Sequence, residues 1–297
     1  MSEADTGNDI RSIAVIGAGA MGSGIAQVFA MAGRRVTLVD VRPEGLEKAI
    51  SGMTAILNRQ VEKGKLDPDL VRGALDRIST STDLSAAARD ADFAIEAVFE
   101  RLDIKTELIQ RLDQALPQSA IVATNTSSIS VSRLAAVAAR PERVVGMHFF
   151  NPAPLMPLVE VVRGLQTSDD TVAAVVALAE ASGKSPVVVN DSPGFVGNRI
   201  LLPMINEAIF TLAEGVADRD AIDQVMKLGM SHPMGPLALA DLIGLDVCLD
   251  ILDVLHRDFG DDKYRPAPLL RTMVAAGRLG KKSGRGFYDY AAGESPQ

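Results

Sequence analysis

A histidine and a glutamate twelve residues apart are the side chains of this sequence best suited to proton transfer. His148 ends the apolar run 144–147, and Glu160 lies inside the second apolar run 158–162. A carboxylate among apolar residues must be paired, because burying an isolated charge is costly. If the two runs are neighbouring strands, Glu160 can orient the imidazole of His148 as a general base, although the same two residues could form a purely structural salt bridge.

A glycine-rich turn near the start of the chain has the pattern that binds the pyrophosphate of a dinucleotide. Gly17, Gly19 and Gly22 fit G-x-G-x-x-G, with Ala20 and Met21 before the last glycine. The first glycine permits a tight turn, the second a close approach to phosphate, and the third close packing of helix on strand. The turn follows a predicted strand and opens a predicted helix, whose N-terminus would face the phosphates. We therefore predict that these five residues bind a cofactor.

Asp40 indicates which nicotinamide dinucleotide is bound. It ends the next predicted strand, eighteen residues after Gly22, where its carboxylate can accept hydrogen bonds from ribose hydroxyls. The 2′-phosphate of NADP would stand about 4 Å from this charge, at a cost of roughly 4 kcal/mol. Arg42 could relieve part of that repulsion, but the balance favours NAD.

A third segment, 123–128, reads Ala-Thr-Asn-Thr-Ser-Ser and follows another predicted strand. Its hydroxyl groups could bind a ligand at the strand end. They could equally form an ordinary turn that caps the next helix, so the pattern alone leaves both interpretations open.

The elements that would position these residues alternate along the first two thirds of the chain. Strands are predicted at 12–16, 36–39, 93–98, 120–124, 144–149, 158–162 and 186–189. Helical patterns separate most of them, and several strands are apolar runs without alternation, as expected for strands covered on both faces. This order predicts an α/β fold with a Rossmann-type doubly wound sheet.

Strand patterns disappear after residue 192, and the rest of the chain reads as helical. Helices are predicted at 195–212, 221–229, 236–243 and 247–256. We therefore predict two domains, a dinucleotide-binding domain over 1–192 and an all-helical C-terminal domain over 193–297.

Composition excludes several classes of protein. The 297 residues carry a net charge of −8, which opposes binding to a nucleic acid backbone. No apolar run is long enough to span a bilayer, and residues 1–8 lack the basic and apolar regions of a secretory signal. The single cysteine, Cys248, allows neither an internal disulfide nor a multi-cysteine metal site. We expect a soluble, cytoplasmic protein without a bound metal.

Longer stretches of the sequence resemble the 3-hydroxyacyl-CoA dehydrogenases, and most closely the bacterial short-chain type that acts on 3-hydroxybutyryl-CoA. The matching stretches include IAVIGAGAMGSGIAQVFA, ATNTSSISVSRLA, GMHFFNPAPLMPLVEVV, DSPGFVGNRILLPMINEA and GRLGKKSGRGFYDY. Together the matches span nearly the whole chain after the N-terminal tail. The His-Phe-Phe-Asn-Pro run followed by Glu160, and Ser-Pro-Gly-Phe ahead of Asn198, are specific features of the resemblance.

The resemblance implies NAD-dependent oxidation of the 3-hydroxyl group of an L-3-hydroxyacyl-CoA. His148 would be the general acid/base, Glu160 would orient it, and Ser127 and Asn198 would hold the substrate oxygen. Further cofactor contacts are implied for Glu100, Lys105, Ser127, Asn151 and Lys282.

The resemblance also implies a site for coenzyme A and a homodimer. Arg59 and Lys63, with Lys65 nearby, form a basic cluster that could meet the phosphates of coenzyme A, although a solvated helix face explains the charges equally well. Ser127 is implied to contact the acyl-CoA as well. In the family the helical second domain forms the dimer.

Two other interpretations remain open on the sequence. A dehydrogenase of a CoA-free 3-hydroxy acid, such as carnitine or gulonate, would use the same domains. A non-catalytic protein that only binds NAD, or a crystallin-like protein, would share the fold but would tolerate the loss of His148, Glu160, Ser127 or Asn198, and all four are present.

Overall fold

The computed structural model describes residues 10–291, and the chain divides into two compact units between Ser192 and Pro193. The segment 1–8, for which the sequence predicts no secretory signal, lies outside the described residues. None of the described helices combines the length and the apolar character that a membrane span would need.

The first unit is built on one eight-stranded sheet in the order β3-β2-β1-β4-β5-β6-β7-β8. The strands are β1 Ser12–Ile16, β2 Arg35–Val39, β3 Ile78–Ser81, β4 Phe93–Glu96, β5 Ile121–Thr124, β6 Val144–Phe149, β7 Leu158–Arg163 and β8 Ser185–Asn190. The helices of this unit are α1 Ala20–Met31, α2 Pro43–Glu62, α3 Pro68–Asp76, α4 Leu84–Arg89, α5 Leu102–Ala115, α6 Val131–Ala135 and α7 Asp169–Ala181. The Rossmann-type sheet predicted from the sequence is confirmed.

The apolar strands carry no alternation because both faces of the sheet are covered. In β1, Ile13 and Val15 belong to the core on one face, while Ala14 and Ile16 belong to the core on the other. In the first of these cores, the ring of Phe29 in α1 makes an edge-to-face contact with the ring of Phe149.

Two features of the sheet were absent from the sequence prediction. β3 is a polar edge strand, Ile-Ser-Thr-Ser, without the apolar run that marks the others. β7 runs antiparallel to β6, whereas the first six strands are parallel to their neighbours. Residues 150–157 are too few for the crossover of a dozen or more residues that a parallel connection needs, so the chain turns back as a hairpin.

The second unit is helical, with α8 Gly197–Ala213, α9 Arg219–Gly229, α10 Pro236–Ile243, α11 Leu245–Phe259 and α12 Pro268–Ala275. The sequence predicted the first four of these helices and missed α12. Isolated β-bridges join Gly280 to Arg285 and Arg285 to Asp289, the one departure from helical structure that we describe in this unit.

Two buried carboxylates fasten the segment 280–290 to the helices of this unit. Asp223 of α9 accepts hydrogen bonds from the backbone of the first turn of α10 and, at 2.9 Å, from the hydroxyl of Tyr288. Asp241 of α10 accepts from the backbone N–H groups of Phe287 and Tyr288 and from the hydroxyl of Tyr290. The segment thus supplies all three of these donors for Asp241 and one of the three for Asp223.

Candidate active site

His148 and Glu160 face each other across the β6–β7 hairpin. The antiparallel register sets the two residues directly opposite, and His148 Nδ1 lies 2.8 Å from Glu160 Oε2. Both are almost fully buried, at 5% and 3% exposed. The contact predicted from the sequence is therefore confirmed, and it depends on the antiparallel turn that the sequence did not predict.

The surroundings of His148 restrict its orientation further. The ring of Phe150 lies 4.8 Å from the imidazole, centroid to centroid. The side-chain oxygen of Asn125, at the end of β5, accepts a 2.9 Å hydrogen bond from the backbone N–H of Phe149. Glu160 fixes Nδ1 as the donating nitrogen, which makes Nε2 the atom suited to exchange a proton with a substrate.

A buried lysine holds the hairpin loop that carries Asn151. Lys184 Nζ donates to the carbonyl oxygens of Ala153 at 2.6 Å and Met156 at 2.9 Å. Burial lowers the pKa of this lysine. Asn151 itself is exposed, and its contact with a cofactor stays a prediction.

The glycine turn has the geometry that its sequence predicts. Gly17 has a φ of +104°, and a side chain there would meet the carbonyl oxygen of Ala97 at 2.6 Å. A Cβ on Gly22 would lie 1.7 Å from the carbonyl oxygen of Gly17, whereas a Cβ on Gly19 would meet nothing within 4 Å. The first and third glycines are therefore required by the fold itself, and the second borders open space.

Asp40 connects the end of β2 to this turn. Its Oδ2 accepts from the backbone N–H of Ala18 at 2.9 Å, and its Oδ1 accepts from that of Arg42 at 3.0 Å. A carboxylate can accept about four hydrogen bonds, so both oxygens retain capacity for ribose hydroxyls. No side chain caps α1, which begins at Ala20, so its first N–H groups and this carboxylate together fit the phosphates and ribose of NAD.

The hydroxyl-rich segment is organised around Glu100. Glu100 Oε1 accepts from Thr126 Oγ1 at 2.6 Å, from Ser127 N at 2.9 Å, and from both N and Oγ of Ser128 at 3.0 Å. Burial raises the pKa of Glu100, but the charge of Lys105 and these hydrogen bonds outweigh it, so the pKa is lowered and the carboxylate is ionised at neutral pH. The helix that follows is capped by a different residue, Ser130, so capping does not account for this segment.

The remaining predicted residues lie on other elements of the chain. Asn198 is in the first turn of α8 and is largely buried. Lys282 is exposed, with its Nζ 2.6 Å from Asp246. Arg59 and Lys63 are exposed at the C-terminal end of α2. The assignment of Asn198, Lys282, Arg59 and Lys63 to ligand sites stays a prediction.

The sequence reasoning missed three polar residues that organise this region, Glu96, Asn125 and Lys184. Glu96 had a signal that could have revealed it, because it ends the apolar strand Phe-Ala-Ile-Glu and is a buried carboxylate in need of a partner, as Glu160 is. Asn125 and Lys184 bond to the backbone of segments distant in sequence, and no local pattern marks such contacts.

The profile of the NAD-binding domain of 3-hydroxyacyl-CoA dehydrogenases matches residues 12–192, and the profile of the C-terminal domain of the same enzymes matches residues 194–290. The chain belongs to the 3-hydroxyacyl-CoA dehydrogenase family. Its cofactor is accordingly NAD, as Asp40 and the glycine turn predict, and it is an oxidoreductase.

Two relatives within the 3-hydroxyacyl-CoA dehydrogenase family are similar to this chain over nearly their full length. A probable 3-hydroxybutyryl-CoA dehydrogenase of Bacillus subtilis is 57% identical over 95% of this chain and 98% of the relative. The crystal structure of (S)-3-hydroxybutyryl-CoA dehydrogenase from Ralstonia eutropha superposes with a TM-score of 0.91 at 50% identity, covering 95% of this chain and 99% of that one.

A more distant neighbour shows that this scaffold is not restricted to acyl-CoA substrates. The structure of an NAD-dependent 5-dehydrogenase of a formyl-hydroxy-methylpyridine carboxylic acid has a TM-score of 0.76 and 36% identity, covering 95% of this chain and 91% of that one. The fold and its NAD site therefore do not identify the second substrate, which must be argued from further residues.

Across residues 10–291, no three His, Cys, Asp or Glu side chains are grouped so that they could hold a metal ion.

Proposed function

We propose that this protein interconverts (S)-3-hydroxyacyl-CoA and 3-ketoacyl-CoA, with short acyl chains such as 3-hydroxybutyryl as substrates. The observation that carries the proposal is the buried His148–Glu160 pair, 2.8 Å apart, in a chain with an NAD-binding first unit. Oxidation of a secondary alcohol requires a base for the hydroxyl proton, and a buried imidazole held by a carboxylate is suited to that task. The names of the two relatives described above support the acyl-CoA substrate and the short chain.

In the oxidative direction, His148 Nε2 accepts the proton of the 3-hydroxyl group. Glu160 keeps the imidazole in the required tautomer and stabilises the imidazolium that forms. When bound, NAD supplies the hydride acceptor. In the reductive direction, the same imidazolium returns the proton to the oxygen of the 3-keto group.

The family resemblance assigns further roles, which are part of the proposal. Ser127 and Asn198 are assigned to the substrate oxygen, where hydrogen bonds would stabilise developing negative charge. The nucleotide contacts are assigned to the glycine turn with Ala20 and Met21, and to Asp40, Glu100, Lys105, Ser127, Asn151 and Lys282. A cytoplasmic location completes the proposal, since the single cysteine, Cys248, is buried and unpaired, as suits a reducing compartment.

The decisive experiment follows NADH absorbance with acetoacetyl-CoA, with free acetoacetate and NADPH as controls. We expect NADH oxidation with the thioester, none with free acetoacetate, and at least tenfold slower turnover with NADPH because Asp40 repels its 2′-phosphate. Turnover of the free acid would instead assign the protein to CoA-free 3-hydroxy acids. Binding of NADH without turnover of any 3-ketoacyl thioester would assign it a non-catalytic role.

The basic cluster gives a prediction about coenzyme A. Changing Arg59 and Lys63 together to glutamate should raise the KM for acetoacetyl-CoA about tenfold, because two attractive charges near the phosphates become repulsive. The effect should shrink as salt is added. Acetoacetyl-pantetheine, which lacks those phosphates, is the matched control substrate, and an equal rise in its KM would show that the cluster does not bind coenzyme A.

We also propose that the helical unit forms a homodimer, as in the family. Val225 and Leu228, three residues apart on α9, and Met230 just after it are exposed large apolar residues, with Leu228 82% exposed. Light scattering should give twice the 31.4 kDa of one chain, and Leu228→Glu should shift the protein toward the monomer. Leu165→Glu, at a leucine of the first unit that is 90% exposed, should leave the mass unchanged. A wild-type monomer would contradict the proposal.

A further inference from the structure

A group of buried polar side chains lies where β4 and β5 end, beside the hydroxyl-rich segment. Glu96 is 0% exposed, and each of its carboxylate oxygens lies 2.8 Å from Lys105 Nζ. The hydroxyl of Thr124 donates to Glu96 Oε1, and the backbone N–H of Val98 donates to Oε2 at 3.2 Å. Lys105 is only 1% exposed, so this ion pair is closed to water.

The ion pair continues into Glu100 through Lys105. Lys105 Nζ lies 3.3 Å from Glu100 Oε2, which is longer than its two contacts with Glu96. The other oxygen of Glu100, Oε1, accepts the hydrogen bonds of Thr126, Ser127 and Ser128 described above. One oxygen of Glu100 thus faces the lysine, and the other holds the loop.

Stability alone is a weak explanation for this arrangement. A buried ion pair gains little over apolar side chains of the same volume, because both charges lose their hydration. The geometry has a more specific effect. Since Glu96 binds the ammonium with both oxygens, it prevents Lys105 from moving onto Glu100 and drawing that carboxylate away from the loop.

We propose that Glu96 is a positioning residue, which acts through Lys105 and Glu100 to fix the loop 126–128. The proposal rests on the proposed function, in which Ser127 of this loop meets the substrate oxygen. Displacement of a positioning group by about 1 Å can lower turnover about a hundredfold, even when the altered residue is remote from the reacting atoms. Glu96 should therefore influence kcat without touching substrate or cofactor.

The test compares Glu96→Gln with Asp113→Asn. Asp113 is the matched control because its carboxylate, in a side chain only 6% exposed, forms an ion pair at a different place in this unit. It accepts from Arg140 Nε at 2.9 Å and from the N–H of Ala139 at 2.7 Å. We expect both variants to lower the melting temperature. Glu96→Gln should lower kcat for acetoacetyl-CoA reduction about ten- to a hundredfold even at saturating NADH. The Kd of NADH, measured by fluorescence, should rise as well, because Lys105 and Glu100 are also assigned to the nucleotide. Asp113→Asn should retain kcat within about twofold.

A milder variant covers the case in which Glu96→Gln does not fold. Thr124→Val removes the hydroxyl that donates to Glu96 and that accepts a 3.2 Å hydrogen bond from the backbone N–H of Thr126. It leaves every charge in place, and it should lower kcat about three- to tenfold. Wild-type kcat in folded Glu96→Gln, or in Thr124→Val if the first variant is unfolded, would overturn the inference and leave the proposed function intact. An equal loss of kcat in Asp113→Asn would also overturn it, because that pattern reports general destabilisation. A wild-type protein that fails to reduce acetoacetyl-CoA would overturn both.

Discussion

Replacing His148 by alanine should reduce kcat for acetoacetyl-CoA reduction about a thousandfold or more, while the Kd of NADH stays within a few-fold of wild type. Alanine removes the only group that we assign to proton transfer, and general acid–base catalysis contributes up to about 10⁴-fold. The glycine turn and Asp40, which we assign to the pyrophosphate and ribose, lie at the ends of β1 and β2, and β4 and β5 separate these strands from β6, which carries His148. Steady-state kinetics and NADH fluorescence measure the two effects separately.

Two further variants test whether the loss of turnover is specific to the His148–Glu160 pair. Glu160→Gln should retain a hydrogen bond to Nδ1 but lose the charge that stabilises the imidazolium, so its kcat should fall less than that of His148→Ala. His256→Ala alters a histidine on the helical unit that is bonded to Asp262, and it should leave kcat unchanged. Substantial turnover in His148→Ala would show that another group transfers the proton.

The second large effect is expected at the glycine turn. Two neighbouring alanine substitutions there should both weaken NADH binding, but for different physical reasons. Gly22→Ala places a Cβ 1.7 Å from the carbonyl oxygen of Gly17, so the turn must open. We expect this variant to lose more than about 3 kcal/mol of stability and all measurable NADH binding. Gly19→Ala meets no protein atom within 4 Å and should fold with an almost unchanged melting temperature.

Gly19→Ala should nevertheless weaken NADH binding at least tenfold, because its methyl group occupies the side of the turn that we assign to the pyrophosphate. Thermal unfolding and NADH titration of both variants separate the two mechanisms. Wild-type affinity in Gly19→Ala would mean that the pyrophosphate lies elsewhere, and a stable Gly22→Ala would contradict the close packing of α1 on β1.

Local sequence patterns predict the parts of this protein that depend on neighbouring residues. The run Ile13 to Ile16 shows no alternation, and this alone predicts a strand covered on both faces. The glycine spacing predicts the turn and the start of α1, because both depend on residues close together in the sequence. The His148–Glu160 contact was also predictable, because a carboxylate inside an apolar strand requires a partner and few candidates exist.

The features that escaped prediction are those that depend on distant parts of the chain. β3 has a weak pattern and becomes a strand because the edge of β2 is available to it. The bond from Asn125 to Phe149 joins residues twenty-four positions apart. The Glu96–Lys105–Glu100 chain required the relative positions of a strand end, a helix and a loop, and the sequence alone contains no measure of those distances.

The two carboxylates of the helical unit also bear on how the protein is made. Asp223 and Asp241 are buried, and residues 287–290 donate one hydrogen bond to Asp223 and three to Asp241, which offset part of their lost hydration. During synthesis on the ribosome, the sheet of the first unit can form once residue 190 has emerged. The helical unit can be completed only after about a hundred further residues have been synthesised, so the nucleotide-binding unit can fold first. In a nascent chain that stalls before residue 287, the two buried carboxylates of α9 and α10 lack part of their hydrogen-bond donors.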